Sequence, residues 1–232
     1  MSEDIKDKKD TSVAEKKQIL KKLCVVIPYC KAVHQPMALL YAIRSLCSYF
    51  LADFKVVVIG DKEDWFSAEL VHVPATLSGE DLDRMVEDVF VKATLVEEVT
   101  TEFILMMPDT FLLKPLSLAH MAIPKVSESL KFDTALPFLV DATLVTQLLT
   151  AMVDESLTIE ACQKCSAHGS PVVVDWRRNE WLLPVVSAKP NPEKFADLAG
   201  KRFFMHYSKE GWSGFLQDKL KVMYPNKSKY EV

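Results

Sequence analysis

Apolar residues fall along this chain in two patterns. Leu23-Cys24-Val25-Val26-Ile27 is an unbroken hydrophobic run closed by Pro28, and Phe54 to Ile59 and Phe103 to Met107 repeat it. Runs this long without polar alternation mark strands buried on both faces, as in a parallel sheet. Between the first two, Pro36 is placed to open a helix in which Leu39, Leu40, Ile43, Leu46 and Cys47 recur at three- and four-residue spacing. A short strand is expected at Leu70 to Val73. Ser78 and Asp81 form a capping box, and Leu82, Met85, Val86, Val89, Ala93 and Val96 then share one helical face. Strands alternating with helices predict an α/β fold with a mostly parallel sheet flanked by helices, whose ligands bind beyond the carboxyl ends of the strands.

The second half predicts a less regular α+β arrangement. A strand is expected within Thr134 to Val140, helices at Ala142 to Asp154 and Ser156 to Cys165, and strands near Val172 to Val174 and Phe203 to His206. Gly211 to Met223 reads as a final amphipathic helix ended by Pro225. Residues 1–17 read as a mobile charged leader, and residues 18–232 as one domain.

Composition supports a folded chain, with 49% hydrophobic and 26% charged residues. The net charge of −4 offers no broad basic face and argues against nucleic-acid binding through phosphate neutralisation. No apolar run approaches the roughly 20 residues that cross a bilayer. Five cysteines, an odd number, with Cys24, Cys30 and Cys47 in or beside apolar segments, fit free thiols and a cytoplasmic location.

With only six glycines and neither GxGxxG nor GK[ST], the turn after the first strand, Pro28-Tyr29-Cys30-Lys31, lacks the backbone phosphate grips of dinucleotide and P-loop folds. A carboxylate-held Mg²⁺ or Mn²⁺ is the alternative grip for a diphosphate. Asp109 is placed for it, since it follows the Phe103 to Met107 run and precedes Phe111-Leu112-Leu113 at the expected mouth of the cleft. Cys162-Gln-Lys-Cys165, with His168 beyond, has zinc-compatible spacing but no second cysteine pair, so two cysteines one helical turn apart are the simpler reading.

Three stretches carry a family resemblance: Tyr41-Ala42-Ile43-Arg44-Ser45-Leu46, Val58-Ile59-Gly60-Asp61-Lys62-Glu63-Asp64-Trp65, and Phe103 to Pro115. They resemble bacterial GT-A-type nucleotide-diphospho-sugar transferases, in particular the group of stealth-type capsular-polysaccharide sugar-phosphate transferases. The likeness extends to Asp133-Thr134 with Pro137 and to Tyr224-Pro225-Asn226-Lys227-Ser228-Lys229-Tyr230-Glu231.

The resemblance implies a GT-A-like fold, with residues 18–125 as the nucleotide-binding half and 126–232 as the acceptor-side half. It implies transfer of a sugar from a nucleotide-sugar donor to a glycan or small-molecule acceptor, in polysaccharide biosynthesis. Asp109 would then face the metal or phosphate, with His206 as a further metal ligand and Mn²⁺ or Mg²⁺ as the cofactor. Asp61 would hydrogen-bond the nucleoside, Tyr29 would stack on the base, and Arg44 would orient the acidic cluster or a phosphate; the structural alternatives are a simple Gly-Asp turn, a half-buried ring and a surface ion pair. No motif marks the base that would activate the acceptor hydroxyl, for which Asp133 and Asp175 are the candidates; Trp176, Trp181 and Trp212 are candidates to line an acceptor groove, with core packing or dimer burial as the alternative. Two positions depart from the pattern: Pro108 stands where the family pairs acids, and Ala135 where a histidine is expected. Those losses imply the rival reading, a catalytically degenerate paralogue retained as a binding or assembly module.

Overall fold

The computed structural model describes residues 22–75, 88, 91–93, 97, 99–126, 136–151, 164, 172–173 and 181–232. The expected leader, most of the helix after Ser78, Cys162, Cys165 and His168, and Asp133, Ala135, Asp175 and Trp176 lie outside those residues.

In chain order the elements are β1 (Leu23–Tyr29), α1 (Pro36–Tyr49), β2 (Phe54–Gly60), β3 (Val71–Pro74), β4 (Glu102–Leu105), β5 (Thr110–Leu112), α2 (Leu118–Ala122), β6 (Lys125–Val126) and β7 (Phe138–Asp141). They continue with α3 (Ala142–Ala151), β8 (Val172–Val173), β9 (Leu182–Val185), α4 (Pro192–Lys201), β10 (Phe204–Tyr207) and α5 (Gly214–Met223). The main sheet has the order β3-β2-β1-β4-β7. Its first four strands are parallel, and β7 closes the edge antiparallel to β4.

Alternate residues of the buried strands feed opposite faces. Val25, Ile27, Val56, Val58 and Ile104 meet Leu39, Ile43 and Leu46 of α1 in one core cluster. Cys24, Val26, Val57, Ile59, Phe103 and Leu105 enter a second cluster with Val145 of α3. Apolar layers on both faces explain why these strands read as continuous hydrophobic runs. The chain winds from β1 toward β2 and β3, then crosses to place β4 on the other side of β1, so the β1/β4 boundary is the switch point where such sheets open a crevice at their carboxyl edge.

β1 runs through Pro28 rather than stopping at it. The missing N–H of Pro28 faces the β4 side, where pairing ends at Val26↔Leu105 and Met106 N–H on Val26 O (3.0 Å), so no ladder donor is lost. Gly60 has φ of 138°, and a Cβ there would lie 1.8 Å from Tyr29 O. Only glycine lets β2 end in that register and pass Asp61 N–H to Tyr29 O at 2.9 Å.

A second, three-stranded sheet has the order β5-β10-β9, and β6 pairs with β8. It joins the main layers through Ser45 of α1, a fully buried hydroxyl that donates to Ala42 O (2.7 Å) and accepts from Leu112 N–H (3.0 Å). The final helix begins at Gly214 rather than Gly211, because Ser213 caps it by accepting from Leu216 N–H, while Gly211 and Trp212 turn on Ser208 O. Beyond α5 the chain returns along the molecule. Tyr224 donates its hydroxyl to Leu112 O (2.5 Å) and Tyr230 to Phe54 O (3.0 Å), while Val232 N–H meets Trp65 O (2.9 Å). Among the described residues no helix is long and apolar enough to cross a membrane.

Candidate functional site

The carboxyl ends of β1, β2 and β4 lie on one edge of the sheet, at the switch point where sheets of this kind bind their ligands. After β4 the chain turns through Pro108 and Asp109, closed by Thr110 N–H on Met107 O (3.2 Å), and enters β5. β5 pairs antiparallel with β10 in the register Phe204↔Leu112, Met205↔Phe111, His206↔Thr110. That register brings His206 beside Asp109, with Nδ1 3.5 Å from Oδ1. Asp109 Oδ1 is sealed from solvent and has no hydrogen-bond partner among the described residues. An unpaired buried carboxylate oxygen is costly unless another group completes it.

The loop after β1 forms the opposite wall. His34 is 6% exposed, its Nδ1 accepts from Cys30 N–H (3.2 Å), and its ring stacks on Tyr29 at 6.2 Å. Burial lowers the basicity of this imidazole, and the Asp109 charge opposes that shift. Tyr207, one residue beyond His206, is buried on β10 beside the site. Burial, then the Asp109 charge, holds the Tyr207 phenol above its ordinary range. Its ring lies between Phe111 (6.1 Å) and Trp212 (4.8 Å).

Asp61 ends β2 on the same edge, and its Oδ2 accepts from Lys31 N–H (2.7 Å). Glu63 accepts from the Tyr29 hydroxyl (2.6 Å) and pairs with Lys31 Nζ (3.3 Å). The stacking role expected of Tyr29 does not fit this placement. The ring is fully buried because β1 extends to it, and its hydroxyl is committed to Glu63. Burial and then Glu63 push the phenol well above its usual range.

Arg44 lies mid-way along α1 and faces the C-terminal segment. Its Nη2 and Nε donate to Glu231 (2.6 and 2.9 Å) and Nη1 donates to Tyr224 O (3.2 Å). The Glu231 bond raises the guanidinium's basicity, and against the opposing effect of burial Arg44 and Ser228 hold Glu231 below the ordinary carboxylate range. Trp181 does not face the crevice. It precedes β9 and packs on Phe203 and Phe204 and beneath Lys125, about 10 Å along the strand from the level of His206. Trp212, by contrast, adjoins Tyr207.

The structure thus brings Asp109 and His206 together, sets Asp61 on the same edge and places Arg44 elsewhere. It adds His34 and Tyr207, which sequence reasoning did not single out; the available signal was His34's position directly after a buried strand. Two ligands of one divalent ion lie about 3 Å apart at bond lengths of about 2.0–2.2 Å, so the Asp109–His206 spacing fits two positions around such an ion. Among the described residues no group of three or more His, Cys, Asp or Glu is arranged to hold a metal.

No family model matches this sequence, and no curated protein matches it. Solved structures do. The glycosyltransferase GlyE of Streptococcus pneumoniae TIGR4 aligns with a TM-score of 0.52 at 12% identity, over 89% of this chain and 61% of GlyE. The apo form of GlyE aligns with a TM-score of 0.50 at 13% identity, over 89% of this chain and 61% of that chain. The apo structure of the bifunctional glycosyltransferase WbbM aligns with a TM-score of 0.53 at 8% identity, over 90% of this chain and 50% of WbbM. The chain therefore spans less than two thirds of each. At these identities the likeness is one of fold: a mostly parallel α/β sheet flanked by helices, as in glycosyltransferase structures.

Proposed function

We propose that this chain binds a nucleotide-activated sugar at the switch-point crevice and transfers the sugar to a glycan or small-molecule acceptor. The observation that carries the reading is the Asp109–His206 pair, with Oδ1 and Nδ1 3.5 Å apart and Oδ1 sealed without a hydrogen bond among the described residues. An acid left incomplete at the carboxyl edge of a parallel sheet is where this fold class places its ligand.

In this reading Asp109 and His206 hold a divalent ion, Mn²⁺ or Mg²⁺, with the donor diphosphate and water as its remaining ligands. Bound there, such an ion stabilises the charge of the departing diphosphate. Asp61 keeps Oδ1 for the nucleoside after giving Oδ2 to Lys31 N–H. Trp212, which adjoins Tyr207, offers an aromatic face to the acceptor sugar. Asp133 or Asp175 takes the proton of the acceptor hydroxyl.

The second reading is a binding or assembly module without turnover. It is favoured by the residues before Asp109, where Pro108 replaces an acid and Met107 is 8% exposed in the core. Calorimetry with UDP- and GDP-sugars, with and without Mn²⁺, together with an assay for released nucleoside diphosphate, tests both. Binding and release, each abolished in Asp109→Ala, support the enzyme. Binding without release supports the module, and absence of binding under every condition removes the sugar-nucleotide reading altogether.

A further inference from the structure

The proposed site has an unsolved anion problem. A diphosphate needs donors, yet the turn after β1 has no glycine-rich backbone, Arg44 is engaged with Glu231, and Lys31 pairs with Glu63. The imidazole of His34 offers a nitrogen at this edge. Its Nδ1 accepts from Cys30 N–H, so in the neutral ring the proton resides on Nε2. Among the described residues Nε2 has no hydrogen-bond partner, and it is not one of the buried side-chain atoms left unsatisfied, so the small opening of this 6%-exposed residue includes it. The ring is held by its stacking on buried Tyr29 and by the Cys30 N–H bond to its Nδ1.

His34 follows β1 and Asp109 follows β4, the two strands that bound the switch point, and the Asp109 charge acts on the His34 ring. A fixed N–H donor and an incomplete carboxylate therefore both follow strands that end at the switch point. We infer that His34 donates its Nε2–H to the diphosphate of the bound nucleotide, supplying the phosphate contact that the glycine-poor turn after β1 lacks. This rests on the sugar-nucleotide reading and names a binding residue within it. Asp109 and His206 take the metal side of the diphosphate and His34 the direct side.

The test is ligand-observed NMR titration of the full chain with Mg²⁺, using whichever of UDP or GDP binds and the matching nucleoside, uridine or guanosine. His34→Asn keeps an acceptor for Cys30 N–H but is too short to present a donor at the Nε2 position. His34→Phe keeps the stacking on Tyr29 and removes both nitrogens, and His34→Gln restores a donor at the longer reach. Losing one hydrogen bond to a charged group is expected to weaken nucleoside diphosphate binding by about tenfold or more in the Asn and Phe variants. Nucleoside binding should change less than about twofold, and Gln should recover most of the loss. Thermal melts identify which variants are folded, and either folded loss variant suffices. Unchanged diphosphate affinity, an equal loss for diphosphate and nucleoside, or failure of Gln to recover binding overturns the assignment of His34 alone. If the wild-type chain binds neither UDP nor GDP, the sugar-nucleotide reading itself is overturned, a result visible before any variant is made.

Discussion

Lys125 offers a quantitative test of the packing around the second sheet. The residue is 3% exposed, and its ammonium donates to three backbone carbonyls, Ile123 O (2.8 Å), Met121 O (3.2 Å) and Pro137 O (3.3 Å). It also lies over Trp181 (5.3 Å) and Phe204 (5.7 Å). Its hydrogen-bond partners among the described residues are all carbonyls, so desolvation is uncompensated by an opposite charge and lowers its pKa from 10.5 to about 7. The unfolded chain keeps this proton to near the ordinary value and the folded chain releases it near 7. Between those values the unfolded state binds more protons, so stability must rise with pH. Below 7 both states are protonated and this slope vanishes. At about 1.4 kcal/mol per unit, the full interval is worth roughly 5 kcal/mol, and the span from pH 7 to 9 about 3 kcal/mol. Lys125→Met fills a similar volume and removes the titration. Urea unfolding of both proteins at pH 6, 7, 8 and 9 should give curves whose difference is flat from 6 to 7 and then widens by about 3 kcal/mol in favour of wild type. Parallel profiles across the range would refute the view that a buried cation without a carboxylate partner sits at this junction.

Gly60→Ala should destabilise the chain by about 3 kcal/mol or more in chemical denaturation, since the new Cβ would lie 1.8 Å from Tyr29 O at φ of 138°. An alanine variant of wild-type stability would show that the β1–β2 register is looser than described. Arg44→Met should cost about 3–5 kcal/mol by stranding Glu231, whose side chain is 3% exposed, whereas the double change with Glu231→Gln should recover part of it in a double-mutant cycle. Asp109→Asn should weaken Mn²⁺-dependent nucleoside diphosphate binding at least about tenfold in calorimetry while leaving the unfolding midpoint unchanged or raised, because Oδ1 is buried without a hydrogen bond among the described residues.

The parallel core was legible because its signals are local. Unbroken apolar runs produced β1, β2 and β4, and the periodicity after Pro36 produced α1. Elements whose signals are weaker escaped. β9 (Leu182–Val185) contains Pro184, and α4 (Pro192–Lys201) is announced only by Asn191, whose side chain caps Lys194 N–H (2.9 Å). Pro28 misled for a physical reason. Proline ends most central strands, but here β4 has already stopped, so β1 continues and carries Tyr29 into the core instead of leaving its ring for a nucleobase. Arg44 forms an ion pair, the alternative its sequence left open, but its partner Glu231 arrives from the far end of the chain and no local pattern announces that pairing.

The site differs from the core in how it is assembled. Asp109 is readable as a strand-end acid, but its relation to His206 exists only through the β5–β10 register, a pairing between distant segments. A one-residue slip of β10 would turn His206 to the other face and remove it from Asp109. The register is held by the ladders to β5 and β9 on the two sides of β10 and by Phe204, which lies against Lys125 and Trp181. Lys125 therefore stands at the opposite end of β10 from the chemistry, gripping the carbonyl of Pro137 just ahead of β7 and so tying the second sheet to the edge of the first. The same ammonium that makes stability rise with pH thus belongs to the frame that keeps His206 opposite Thr110 and beside Asp109. Losing its carbonyl bonds should loosen metal-dependent nucleotide binding before it unfolds the parallel core, because the β1 to β4 ladder is formed without it.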